Sequence, residues 1–296
     1  MTKSNIKLAI APIGWVNDDL PELGKGTCYK QILEEVAQAG FSGTELGGCF
    51  PKDATELNNE LSLRNLKICN SWFSTYLSTK PYEYTEKLFI EFCDFLLSIG
   101  CTNIGISEQG TSTQQKNIPV TVRESAFNES QWESVIAGAN KLGKIAYDKG
   151  MVMSYHHHMC TGIQTIAEID RFMEATNPQY VNLLFDTGHC SYDDIDPLFL
   201  LNKYIKRIKH IHLKDTRNFI LAGALVNELS FLDSVIEGVF TVPSDGNIDF
   251  NPIFKVLQEN DYTGWLVVEA EQDPKKANPL AYAKYAYDYI TKSLNY

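Results

Sequence analysis

Short apolar segments alternate with longer amphipathic segments along almost the whole chain, and this alternation restricts the fold more than any other feature. Eight of the segments are short and rich in branched or aromatic side chains, which is typical of buried strands. They are residues 6–12, 43–47, 66–72, 102–107, 151–157, 180–186, 208–214 and 265–271. Strands that alternate with helices predict a parallel α/β sheet, and eight such repeats predict a closed (β/α)8 TIM barrel.

Three of the predicted helices end at a glycine that lies directly before the next strand. These are Gly40, Gly100 and Gly150, and a glycine in this position predicts a left-handed cap between helix and strand. Asp53 and Ser130 are predicted to cap the starts of two helices, because their side chains can accept from free backbone N–H groups. The three glycine-ended helices are predicted over 28–41, 83–101 and 130–150.

The alternative arrangement is an open, doubly wound sheet, but no GxGxxG turn follows the first predicted strand, which weakens a dinucleotide-binding interpretation. No linker or low-complexity tract divides the 296 residues, so we expect one barrel domain over 1–296.

The segment 217–249 is long for a loop. It is predicted to form a lid-like excursion that contains a helix over 227–238.

Composition argues against several classes of protein. The net charge of −11 argues against a nucleic acid as the main partner, because phosphate binding favours a basic surface. The seven cysteines contain no CxxC pair, which indicates reduced thiols and a cytoplasmic location. No apolar run approaches the roughly 20 residues of a membrane helix, and Pro12 and Gly14 interrupt any signal-like start. We therefore expect no membrane and no nucleic-acid partner.

All six histidines occur in three short segments, YHHHM (155–159), FDTGH (185–189) and HIH (210–212). Each segment lies at the end of a predicted strand, where the active sites of such barrels are built. Strand side chains alternate between faces, so His156 and His158 should share a face with His157 on the other, and His210 should share one with His212. Carboxylates at the other strand ends complete a mixed N/O set that suits a divalent ion such as Mn, Co, Fe or Zn.

Each of these residues also has a purely structural interpretation. A single strand histidine is usually a satisfied core residue, and an aspartate such as Asp186, before TGH, is commonly an N-cap or turn residue. Glu269 can be a buried acid paired with Lys214, while Cys160 and Cys190 are more readily explained by packing. The joint occurrence of histidine and carboxylate at several strand ends favours a common site.

Seven segments together resemble the inosose dehydratases, within the xylose-isomerase-like barrel family of sugar isomerases, epimerases and dehydratases. The segments are APIGWVNDDLPELG, ICNSWFST, YHHHMCTG, LLFDTGH, HIHLKD, FTVPSDGNIDF and GWLVVEAEQDP. FDTGH, HIHLKD and YTGWLVVE are shared across the wider family, whereas APIGWVNDD, YHHHM and VEAEQDP are narrower and point to the dehydratases. The resemblance runs from about residue 6 to 290.

The resemblance implies a divalent metal held by four residues at strand ends. Carried over one by one, these are Asp186, His212, Glu269 and, in place of the usual glutamate of the fifth strand, His156, with His158 as the substitute. The missing glutamate is an acid or base in the epimerases, so its replacement argues against epimerisation. The resemblance further implies Mn or Co, with Zn, Fe and Mg as alternatives, and glutathione as an additional factor.

The resemblance implies removal of water from 2-keto-myo-inositol (scyllo-inosose), a polyol ketone of inositol catabolism, through a metal-stabilised enolate. A base and an acid are then required, and the candidates are Lys214, Glu108, His158 and Glu271. A nearby cation is expected to lower the pKa of Lys214, whose structural alternative is an ion pair with Asp215 or Glu269. Substrate contacts are expected from Trp15, Asn17, Glu45, Asn70, His189 and Arg217, although Trp15 is more readily a packing residue.

Three other functions stay open at this point. The nearest is a metal-dependent ketose epimerase or isomerase on the same barrel. A DNA-repair endonuclease also uses this barrel, but the acidic balance disfavours it. A non-catalytic carbohydrate-binding protein would need no metal. The sequence does not determine whether further copies of the chain form a homo-oligomer.

Overall fold

A computed structural model describes residues 6–295. Within that range, strands and helices alternate as predicted, and the predicted strands coincide with observed ones. The strands are β1 (Ile6–Ile10), β2 (Gly43–Glu45), β3 (Lys67–Asn70), β4 (Trp72–Thr75), β5 (Asn103–Glu108), β6 (Val152–His156), β7 (Val181–Asp186), β8 (Ile208–Leu213), β9 (Asp215–Thr216), β10 (Phe240–Thr241) and β11 (Gly264–Val268).

The helices lie between these strands, after a short 3₁₀ turn at Pro12–Gly14. They are α1 (Tyr29–Gln38), α2 (Ala54–Ser62), α3 (Tyr82–Ser98), α4 (Glu129–Asp148), α5 (Ile166–Ala175), α6 (Thr187–Tyr192), α7 (Pro197–Tyr204), α8 (Asn218–Val226), α9 (Phe231–Glu237), α10 (Phe250–Glu259) and α11 (Pro279–Leu294). Among the described residues, no helix has the length and apolar composition to cross a lipid bilayer.

Nine parallel strands form a nearly closed barrel in the order β3-β2-β1-β11-β8-β7-β6-β5-β4. The predicted third strand is divided at Ser71 into β3, which pairs with β2, and β4, which pairs with β5. The backbone carbonyl of Ser71 accepts from Gly105 N at 2.9 Å, so the two halves remain next to each other. The barrel therefore has the predicted eight-fold repeat, with one strand in two pieces.

Local signals account for most helix boundaries. Gly40, Gly100 and Gly150 have φ values of 100°, 73° and 74°, so the predicted left-handed caps are confirmed; another residue there would cost roughly 1–2 kcal/mol. Asp53 caps α2 by accepting from Glu56 N. The prediction for Ser130 is wrong, because Asn128 caps α4 in a reciprocal capping box with Gln131.

The excursion over 217–249 contains two helices, α8 and α9, rather than the one predicted. It is attached by a short antiparallel pair between β9 and β10. Arg217 donates to the carbonyl of Gly238 at 2.7 Å and to Asp245 Oδ2 at 2.6 Å. These bonds fix the fold of the excursion, which packs beside the barrel mouth through Phe231.

Candidate active site

Four side chains from four strand ends meet at the mouth of the barrel. They are His156 at the end of β6, Asp186 at the end of β7, His212 on β8 and Glu269 directly after β11, and one ligand-type atom of each lies within 4.8 Å of the others. All four are buried. The predicted grouping is therefore present in space, and it contains His156 rather than His158.

The donor atoms of this cluster are poorly satisfied by one another. His212 Nδ1 lies 2.9 Å from Glu269 Oε2, yet both atoms are buried without a partner in hydrogen-bond geometry. Oε2 is otherwise approached by the Lys214 ammonium at 2.8 Å. Buried polar atoms are rarely left without a hydrogen-bond partner. A divalent cation bound between His212 Nδ1 and Glu269 Oε2 would satisfy both, and the histidine and carboxylate donors suit a divalent transition metal.

The two carboxylate oxygens of Asp186 make different contacts. Oδ1 accepts from Gly188 N at 2.8 Å and His189 N at 2.9 Å, and so caps the start of α6. Oδ2 faces the cluster, 3.3 Å from both His156 Nε2 and His212 Nδ1. The helix cap thus fixes the carboxylate in the orientation that presents Oδ2 to the other donors.

Lys214 is a buried cation beside the cluster. Its Nζ lies 2.8 Å from Glu269 Oε2, 3.0 Å from Glu271 Oε2 and 3.1 Å from His189 Nε2. Burial alone lowers the pKa of Lys214, but Asp186, Glu269 and Glu271 outweigh it and raise that pKa above its usual value. In the metal-free protein Lys214 is therefore a counter-charge to these carboxylates. That a bound cation lowers its pKa, and that it acts as a base, stay predictions.

The pKa values of the two glutamates after β11, Glu269 and Glu271, are shifted in opposite directions. Burial raises the pKa of Glu269, but the charges of His212 and Lys214 outweigh it and bring the value to about 2. At Glu271 burial dominates the attraction of Lys214 and raises the pKa to about 7. The pair therefore places a carboxylate that stays ionised next to one that can carry a proton near neutral pH.

His158 has a fixed tautomer. Its Nδ1 lies 2.7 Å from the carbonyl oxygen of Met159, which only accepts, so Nδ1 carries the hydrogen and Nε2 carries the lone pair. Burial lowers the pKa of His158 to about 3, and its ring packs against His189 with centroids 3.8 Å apart. His157 points to the other face, as predicted, where its Nε2 accepts from Asp186 N at 3.4 Å.

A cleft of about 890 Å³ opens onto these residues. Its wall includes Trp72, whose ring meets those of His156 and His158 edge to face. Some residues that line the cleft were not predicted from the sequence. They lie in the loops after strands β1, β2, β4 and β5, and the polar runs NDD and QGTSTQQ in two of these loops were the signal that could have identified them. The residues are Asp18, Asp19, Lys52, Tyr76, Gln109, Gln114 and Gln115.

The loops after β1 and β5 are joined across this cleft by one carboxylate. Asp19 Oδ2 accepts from Gln114 Nε2 and Asp19 Oδ1 accepts from Gln115 Nε2, both at 2.6 Å. Burial raises the pKa of Asp19 above its usual value, and the neighbouring Asp18 raises it further. The rim therefore carries polar groups that can meet the hydroxyls of a polyol.

Other predicted site residues lie away from the cleft surface. Trp15 is in the core and donates to Glu35 at 2.6 Å, and Asn17 accepts from the backbone of the turn that follows it. Arg217 holds the excursion together. Glu108 accepts from Thr75, Leu77, Ser78 and Gly110, so its carboxylate organises the loop after β4.

The remaining predicted residues lie next to the cluster. Asn70 donates to Glu45 at 2.8 Å, and Glu45 contacts His210 and His212 while also lining the cleft. His189 accepts from Lys214 and packs on His158. The structure thus brings Glu45, Asn70 and His189 next to the predicted ligands, and it leaves Trp15, Asn17, Glu108 and Arg217 in structural contacts.

Comparison with known proteins identifies the family. A family model described as "Xylose isomerase-like TIM barrel" matches residues 23–292. The chain is 51% identical to "Inosose dehydratase" of Clostridium beijerinckii over 297 residues, with 100% of both chains covered. It belongs to the inosose dehydratase family. The chain is also 50% identical to "Inosose dehydratase" of Clostridium tetani, with 97% of each covered, and 49% identical to "Inosose dehydratase 1" of Bacillus cereus, with 98% of each covered.

Solved structures confirm the fold of this inosose dehydratase family member. A D-psicose 3-epimerase from Clostridium cellulolyticum matches with a TM-score of 0.71 at 15% identity, over 97% of this chain and 99% of that one. A probable 3-DHS dehydratase from Bacillus anthracis matches with a TM-score of 0.69 at 14% identity, over 96% and 98%. Membership of the inosose dehydratase family makes the chain an enzyme of the hydro-lyase class.

Proposed function

We propose that this enzyme removes water from 2-keto-myo-inositol (scyllo-inosose) in inositol catabolism, and that it needs a divalent metal to do so. The substrate assignment rests on relatives at about half identity over the whole chain that carry the name inosose dehydratase. The metal requirement is supported by one observation above all: His156, Asp186, His212 and Glu269 present donor atoms to a common point, two of them without hydrogen-bond partners.

The residues fit a cation of the Mn or Co type, which prefers mixed imidazole and carboxylate donors. Bound there, the cation would supply positive charge that stabilises negative charge on a substrate oxygen. Glutathione stays an expectation that rests on the resemblance alone. The free cysteines of the described chain are consistent with the proposed cytoplasmic location.

The chain supplies the proton transfers. In the reaction, the C–H bond next to the ketone and the C–O bond of a neighbouring hydroxyl break, a C=C bond forms, and water leaves. His158 lines the cleft with its lone pair on Nε2. Burial lowers its pKa to about 3, so it is its position in the cleft, rather than its basicity, that favours it as the group that takes the proton from carbon. Glu271 also lines the cleft and contacts Lys214 at 3.0 Å, so it is placed to protonate the departing hydroxide.

Replacement of His158 by glutamine is expected to lower kcat by about 10²–10⁴-fold, the usual contribution of a positioned base. Metal content should be unchanged, because His158 is outside the four-residue cluster. Steady-state kinetics and elemental analysis of the same preparation measure both quantities. A variant that keeps wild-type kcat would remove His158 from the mechanism, and loss of metal would make it a ligand.

The substrate proposal is tested by offering scyllo-inosose to the metal-loaded enzyme. Dehydration produces an enone that tautomerises to a cyclohexanedione, so near-ultraviolet absorbance should rise and the product mass should fall by one water. An epimerase would instead give a product of unchanged mass and no such absorbance. That second result would replace the proposed function by the nearest alternative.

A further inference from the structure

A second group of buried side chains lies directly beside the proposed metal ligands. Glu45 Oε1 contacts three nitrogens: Asn70 Nδ2 at 2.8 Å, His210 Nε2 at 2.9 Å and His212 Nε2 at 3.0 Å. His210 and Asn70 are almost fully buried, and Glu45 is 8% exposed. Glu45, Asn70 and His210 take no part in the proposed proton transfers.

The contact between Glu45 and His212 restricts where the imidazole hydrogen can lie. A carboxylate oxygen only accepts hydrogen bonds, so His212 Nε2 must carry a hydrogen to make this bond. In a neutral imidazole the other nitrogen, Nδ1, then holds the lone pair. Nδ1 is the atom that faces Asp186 Oδ2 at 3.3 Å and Glu269 Oε2 at 2.9 Å.

The structure assigns to Glu45 the role of a positioning residue that commits His212 to bind metal through Nδ1. Ligating histidines usually donate their other N–H to a carboxylate or carbonyl, which fixes the ring and strengthens the ligand. Glu45 also lines the cleft, so its role as a substrate contact stays a prediction beside this role, in which it acts through His212. The inference rests on the proposed metal site and deepens it.

A separate metal site made of Glu45, Cys69 and His210 is the competing interpretation, because these three also offer ligand-type atoms within 4.8 Å of one another. The hydrogen bonds argue against it. Glu45 Oε1 already accepts from three donors, and the His210 nitrogen that approaches it is one of them. The group is therefore better described as a hydrogen-bonded support.

The test is a titration of the metal-free full-length enzyme with Co(II), comparing wild type with Glu45→Gln. Glutamine keeps the shape of the side chain but removes the negative charge that accepts from His212. Co(II) affinity is expected to fall on the order of 10- to 100-fold, the usual effect of losing such a partner. Asn70→Ala is the matched control, because it removes a hydrogen bond to the same oxygen of Glu45 and leaves the bond from His212. The fall in Co(II) affinity should be much smaller for this variant.

A second measurement does not depend on any variant folding. Nitrogen-15 NMR of the Zn(II)-loaded wild-type enzyme reports which nitrogen of each histidine is bound to metal. His212 should show metal at Nδ1 and a retained hydrogen at Nε2. Metal at Nε2 would overturn the inference, as would a folded Glu45→Gln variant with wild-type Co(II) affinity. Absence of Co(II) binding to the wild-type enzyme would instead contradict the proposed function.

Discussion

Replacing His212 by alanine is expected to abolish both bound metal and turnover. His212 provides Nδ1 to the cluster, and this atom lies within 3.3 Å of both Asp186 Oδ2 and Glu269 Oε2. Its removal therefore leaves only three of the four side chains that can bind the metal. Loss of an outer hydrogen-bond partner alone costs about 10–100-fold in metal affinity, and loss of a ligand should exceed this. Metal content by elemental analysis and initial rates with scyllo-inosose measure the two effects.

His158→Gln is the matched control for this prediction, because it changes a histidine of the same cleft outside the four-residue cluster. It should retain metal while losing turnover, so the two variants separate binding from proton transfer. Full activity of His212→Ala would refute the ligand assignment.

Replacing Lys214 by methionine should strongly destabilise the metal-free protein. Lys214 is 1% exposed and lies within 3.5 Å of carboxylate oxygens of Asp186, Glu269 and Glu271. Methionine fills most of the volume but leaves these buried charges without their cation. Removing one partner of a buried ion pair costs about 3–5 kcal/mol, and urea unfolding measures this change in the free energy of unfolding.

Lys203→Met provides the comparison at the surface. Lys203 pairs with Asp170 at 2.7 Å, but both side chains are partly exposed, and such pairs contribute about 0–1 kcal/mol. If Lys214→Met lost no more stability than Lys203→Met, the buried carboxylates would have to be neutral or otherwise compensated.

The barrel was predictable from the sequence because its signals are local. Glycines at 40, 100 and 150 mark helix ends through backbone conformations that other residues adopt with difficulty, and apolar runs mark the strands. The break at Ser71 was not predictable, since it depends on how β3 and β4 pair with different neighbours. The start of α4 was misplaced because the capping box from Asn128 to Gln131 competes with Ser130.

The grouping of His156, Asp186, His212 and Glu269 was predictable for a related reason: parallel strands bring their carboxyl ends together, so residues at strand ends meet. The roles of individual side chains depend on partners that come from distant strands. Glu45 on β2 reaches His212 on β8, and Lys214 gathers three carboxylates that raise its pKa. Arg217 lies near the site in sequence, yet its guanidinium is committed to Gly238 and Asp245.

The most direct test of the account is a metal titration of the chelator-treated enzyme with Mn(II) or Co(II), in which bound metal and scyllo-inosose dehydration are measured in the same samples. A metal-dependent dehydratase should bind one high-affinity ion per chain, show negligible dehydration before metal is added, and have a rate that rises in proportion to metal occupancy. Full dehydration by enzyme that binds no divalent ion would rule out the metal requirement.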